Sequence, residues 1–245
     1  MNAQIEIRGK KYNLPLDYSQ ITLGKFKEIQ KFIDLNTVVS PFLLGDTKKQ
    51  PSEEELINYY IKFINVVTDV PIPDLMNVRQ YSNEEETGID NIFKSLTYLF
   101  TMPKDSGKPV ERIKDYYFID NSGIMANNKF IEFTEASTVS SKMHELQHKK
   151  VMDELKLGRM GYLNMLMAIF YRPKKRKWFK KHIEGYNSLT VTERAKDFDD
   201  VPMNVVWDAM FFFIQSKKEL LKNIEGYSGE KLEKALIDLK GIIGT

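Results

Sequence analysis

Five consecutive residues, His144-Glu145-Leu146-Gln147-His148, match the His-Glu-x-x-His pattern of zinc peptidases. Histidines four apart share one helix face and can bind a single Zn²⁺, with the intervening glutamate as base for the metal-bound water. Against this stand the missing third ligand, with His182 beyond a proline-ended turn, and the neighbouring Lys142, Lys149 and Lys150, whose charge opposes a cation. The preferred reading makes His144 and His148 part of a half-buried helical stripe, and no metal or other cofactor is expected. A zinc-dependent metallopeptidase using His144, Glu145 and His148 is kept as an alternative.

The second constellation is cationic. Arg172, Lys174, Lys175, Arg176, Lys177, Lys180 and Lys181 surround Trp178 and Phe179. Such a cluster can dock an acidic protein with Trp178 as anchor, form the solvated lip of a helix, or bind phosphates and stack bases, preferred in that order. The net charge of +2 over 245 residues conceals it, because residues 142–182 hold 12 basic and 3 acidic side chains. A third feature is Phe211-Phe212-Phe213 with Trp207 and Met210. Three consecutive rings span more than half a helix circumference, so one or more faces a partner. Met160, Met165 and Met167 would add an adaptable apolar surface beside them.

Other chemistry is poorly represented. There is no cysteine, hence no thiol nucleophile or disulfide frame, and no Gly-x-Ser-x-Gly elbow. Gly45-Asp46-Thr47-Lys48 lacks the spacing of a phosphate-binding loop. Asp199-Asp200 could be drawn as a catalytic acid pair, but capping of the following helix explains it more simply. Ile-Glu-Gly-Tyr occurs at 183–186 and 224–227 without amounting to a repeat.

The elements that hold these residues follow from periodicity. Ile5 and Ile7 alternate with Glu6 and Arg8 before Gly9, which predicts a short β-hairpin. Thr22 caps a helix carrying Leu23, Phe26, Ile29 and Ile33. After a loop over 40–51, Ser52-Glu53-Glu54-Glu55 forms a capping box for a helix that Pro71 and Pro73 should end. A third helix should carry one stripe from Ile89 to Phe100. Strands are expected around Ile113, Tyr116 to Ile119 and Phe130 to Phe133. Further helices should run over about 136–157, 160–171, 192–198, 202–224 and 229–242. The fold expected is mainly α, a helical body with a short N-terminal β-hairpin and a small central β insertion. The domains expected are 1–103, 104–135 and 136–245.

Two stretches resemble tail-assembly chaperone-like proteins of bacteriophages. One is the hairpin running into Leu14-Pro15-Leu16-Asp17-Tyr18-Ser19-Gln20-Ile21-Thr22-Leu23-Gly24-Lys25-Phe26. The other is Ala168-Ile169-Phe170-Tyr171-Arg172-Pro173, followed by Tyr186, by 198–202 and by Phe211 to Phe213. The resemblance implies a non-enzymatic viral assembly protein that holds a helical client, such as the tape-measure protein, before the tail tube polymerises. It makes Arg172, Pro173, Tyr186 and Phe211 to Phe213 fold or client contacts. A structural component of the virion, in tail, connector or cargo, is the alternative within this reading. The expected partners are other phage proteins, with nucleic acid less favoured and no membrane contact, and the expected location is the host cytoplasm or the virion.

Overall fold

A computed structural model describes residues 3–45, 47–80, 88–101, 103, 107–119, 158–177, 180–185 and 187–222. The fold is mainly α with a short N-terminal hairpin, and the chain divides into two compact units, Met1–Met102 and Pro103–Gly244.

The first unit opens with β1 (Ala3–Ile7) and β2 (Lys10–Leu14), antiparallel, with Ile7 opposite Lys10. The two-residue turn is Arg8-Gly9, at φ 54° and 71°, as a type I′ turn requires for strands of natural twist. Ile7 and Leu14 turn inward while Glu6 and Asn13 stay exposed. Helix α1 (Leu23–Leu35) begins at Thr22, whose hydroxyl accepts from the Lys25 amide. Its Leu23, Phe26, Ile29 and Ile33 are buried. Helix α3 (Glu53–Thr68) carries the expected capping box at Ser52 and Glu55.

Prolines divide this unit differently from expectation. Inside the expected loop lies α2 (Val39–Leu43), with Asn36 accepting from the Val39 amide at 2.8 Å. Helix α3 stops at Thr68, before either proline, on the left-handed Asp69. Pro71 then precedes α4 (Ile72–Gln80), and Pro73 occupies its first turn. Amides there have no intrahelical acceptor, so a proline costs no hydrogen bond. The expected third helix is also broken. α5 (Gly88–Ser95) gives way to a 3₁₀ turn over Thr97–Phe100, where Ser95 and Thr97 hydroxyls bond the Asn91 and Lys94 carbonyls and compete with the regular ladder. The core of the unit is aromatic: Phe63 stacks on Tyr59 and Phe100 and meets Phe93 edge-on.

The second unit is built on a sheet of order β3-β4-β5-β6. Its strands are β3 (Arg112–Ile113), β4 (Tyr116–Phe118), β5 (Tyr171–Lys177) and β6 (Lys180–Ile183), each antiparallel to its neighbour. In its described part the 104–135 segment contributes β3 and β4, and β4 pairs with β5 along Tyr116–Pro173, Tyr117–Arg172 and Phe118–Tyr171. Helices α6 (Gly158–Phe170), α7 (Ser188–Ala195) and α8 (Met203–Lys222) complete the described unit. Leu166, Ile169, Val191, Phe198, Val206, Met210 and Phe213 are buried in it. The helices expected at 136–157 and 229–242, and the strand at 130–133, lie outside the described residues.

Candidate functional site

The cationic cluster lies on a β-ribbon rather than on a helix lip. Helix α6 ends at Phe170 and the chain passes directly into β5, since Pro173 cannot continue a helix. The β5–β6 register places Lys174 opposite Ile183, Lys175 opposite His182, Arg176 opposite Lys181, and Lys177 opposite Lys180. Two of these pairs set like charges directly across from each other, an arrangement that destabilises a strand pair. No acidic residue occurs between Glu154 and Glu184.

Where the ribbon leaves the sheet its contacts are specific. Lys174 is exposed, with Nζ 3.7 Å from the Tyr117 ring centroid, and the Arg112 guanidinium lies over the same ring at 5.3 Å. The Glu184 amide donates to the Pro173 carbonyl at 2.9 Å. The Glu184 carboxylate accepts from Arg194 of α7 at 3.1 Å. Tyr116 donates to Asp197, and burial together with that acidic partner pushes its hydroxyl up to about 12. The Lys114 ammonium reaches Asp200 at 2.6 Å. Asp199 accepts from the Nδ2 of buried Asn164 at 2.8 Å. The Asp199-Asp200 pair is thus engaged in holding the unit together, a simpler use than acid catalysis.

The remaining expected contact residues divide. Arg172 does not stand on a partner surface: it is 2% exposed, and its Nε donates to the Ile169 carbonyl at 3.2 Å. Two residues past the helix end at Phe170, its guanidinium folds back onto a carbonyl that the helix end leaves without an intrahelical donor. Phe213 is buried at 1%. Phe211 and Phe212 are half-buried, Phe212 meeting Phe118 edge-on at 5.1 Å and Phe211 lying 6.3 Å from Trp207. Met167 is buried at 1% and packs with Leu163, Leu166, Phe170, Ala209 and Met210 around a gap with no room for a water molecule. It is therefore core rather than adaptable surface. Trp178, Phe179, Tyr186 and the His144-Glu145-His148 string lie outside the described residues.

Sequence reasoning passed over Tyr117 and the Glu184–Arg194 pair. The lone acid that closes a long basic stretch was a usable signal for the second. Among the described residues no cluster of three potential metal ligands occurs, and no helix is long and apolar enough to cross a membrane. The chain matches no family model, no curated protein and no solved structure.

Proposed function

We propose that the protein is a non-enzymatic phage assembly protein, a tail-assembly chaperone that holds an apolar helical client such as the tape-measure protein. The observation that supports it is on α8. Phe213 is consumed by the core, yet the preceding Phe211 and Phe212 keep part of their rings exposed. Half-exposed neighbouring aromatics on a 20-residue helix suit a client helix that buries its own apolar stripe against them. The resemblance at 14–26 and 168–173 supplies the assembly role, and the client contact is Phe211 and Phe212.

Affinity purification of the tagged protein from infected cells tests this. The expected result is co-purification of a long helical tail protein, reduced at least tenfold in Phe211→Ser/Phe212→Ser while the melting temperature stays near that of the wild type. Capture unaffected by the double change would remove α8 as the client surface. Recovery of the protein in finished particles, by mass spectrometry, would replace the chaperone role with that of a virion component.

A further inference from the structure

We propose that β1 is an open sheet edge through which two copies of the chain pair, antiparallel, into one sheet of order β2-β1-β1-β2. The inference goes beyond the client reading and rests on residues of the first unit alone.

The free edge follows from the register. The Arg8-Gly9 turn closes on Ile7 opposite Lys10, and the residues flanking such a two-residue turn are joined by backbone hydrogen bonds. Bonded and non-bonded pairs alternate along an antiparallel ladder. Ile5–Tyr12 and Ala3–Leu14 are therefore bonded across the hairpin, whereas Gln4 and Glu6 turn their N–H and C=O groups away from β2. Among the described residues no further strand joins this sheet, and no backbone bond from another element reaches β1. Helix α4 is held from the inner face, where the Tyr12 hydroxyl donates to Asp74 at 3.1 Å, and Gln4 and Glu6 stay exposed.

The two edges of the hairpin differ. β2 carries Lys10 and Lys11 and runs into Pro15, and lysine and proline are devices that guard an edge against pairing. β1 has neither over Ala3–Ile7, and its register is unbroken by a bulge.

A second β1 is the occupant because the strand complements itself. Ile5 is the middle of its five residues, so a two-fold axis there pairs the whole strand. Gln4 then lies opposite Glu6 of the partner subunit, and each such pair exchanges both backbone bonds. An amide opposite a carboxylate escapes the like-charge penalty that an axis at Glu6 would impose. On the inner face Ile5 meets Ile5 of the partner subunit, and Ala3 meets Ile7 of the partner subunit, which continues the apolar side of both hairpins. One patch pairing with itself across a two-fold axis is the commonest closed symmetry of homo-oligomers.

The test is sedimentation velocity of the full chain over a concentration series, in which the wild type is expected to show a monomer–dimer equilibrium. Gln4→Glu sets like charges opposite each other at both symmetric positions, and Gln4→Lys sets opposite charges there. The dissociation constant is expected to rise in the first and fall in the second by about three- to tenfold. Within the hairpin, position 4 faces the neutral Asn13, so both variants should melt near the wild type. The chain has no cysteine, so Ile5→Cys supplies a single thiol. Ile5 would form a non-hydrogen-bonded pair with its equivalent, with Cα atoms about 4.5 Å apart, within disulfide reach. Oxidation should cross-link Ile5→Cys but not Gln4→Cys, whose thiols would sit two residues out of register. A monomer at every concentration up to about 1 mM, or a dimer indifferent to both charge changes at position 4, overturns the proposal. A dimer abolished by Phe211→Ser/Phe212→Ser also overturns it and assigns self-association to α8. Loss of client capture in that variant with the dimer intact is expected, so failure here is distinguishable from failure of the client reading.

Discussion

Arg194 donates to Glu184 over 3.1 Å with the two side chains only 8% and 13% exposed, so a largely enclosed ion pair joins α7 to the residue that follows β6. Because the Glu184 amide also donates to Pro173, this one residue fixes both strands at the base of the cationic ribbon. Removing one member leaves a charge in a site closed to water, which costs far more than the pair contributes. Arg194→Met or Glu184→Ala alone is expected to lower stability by about 3–5 kcal/mol, whereas Arg194→Met/Glu184→Leu should recover most of that loss. Urea titration of the four proteins checks it. A double variant as unstable as either single one would show that the pair itself, not the stranded charge, carries the stability.

The capping box of α3 is a second point where one side chain decides an element. The Ser52 hydroxyl accepts from the Glu55 amide at 3.2 Å, and the Glu55 carboxylate accepts from the Ser52 amide at 2.7 Å. Ser52→Ala is expected to cost about 1 kcal/mol. Those bonds from Ser52, backbone first, hold the Glu55 carboxyl below the usual glutamate range. A lowered value contributes stability above the unfolded range and loses it as pH falls through the folded value. The gap between wild type and Glu55→Ala should therefore narrow on acidification, read as melting temperatures from pH 7 down to pH 3. A gap that is constant across this range would contradict the reciprocal bond.

Phe63 has no exposed surface and meets Tyr59, Phe93 and Phe100 at ring-centroid distances of 6.0, 5.4 and 5.1 Å. Truncation there combines lost transfer energy with a cavity. Phe63→Ala is expected to cost about 3–5 kcal/mol, with Phe63→Leu costing less because it fills part of the space. Denaturant titration followed by near-ultraviolet circular dichroism, which reports these rings, is the check.

Elements with a strong local signal were legible in the sequence: the β1–β2 alternation, the Thr22 and Ser52 caps, and the long helix α8, expected over about 202–224. One misread element turns on proline. Pro73 reads with Pro71 as the end of a helix, yet it sits in the first turn of the next one, a position that depends on where the preceding chain stops. The ribbon was hidden for a different reason. Residues 174–177 and 180–181 are all basic, so they carry no alternation of apolar and polar types, and only the pairing of β5 with β6 reveals the strands. At the site the cations were legible, but which of them lie opposite each other is a property of register. The burial of Arg172 was not legible either, since it depends on the chain turning at Phe170 so that the guanidinium meets the Ile169 carbonyl.

Asp208 on α8 offers a pH-dependent test of the second unit. Its carboxylate accepts from the Gly107 amide at 2.6 Å, while the nearby Tyr171 hydroxyl donates to Val110. Burial pushes the Asp208 carboxyl above the ordinary aspartate range, and the Gly107 bond only partly opposes this. A raised value means that the folded state favours the protonated form. The associated stability is full below the unfolded range and is lost as pH rises through the folded value. Asparagine keeps an acceptor oxygen for Gly107 and carries no charge. Asp208→Asn should therefore melt close to the wild type in acid and above it at neutral pH. Asp208→Ala, which has no acceptor for that amide, is expected to lose about 1 kcal/mol relative to Asp208→Asn at every pH. Calorimetric melting of the three proteins from pH 3 to pH 7 decides the matter. A difference between wild type and Asp208→Asn that does not grow with pH would mean that the folded protein does not favour the protonated carboxyl.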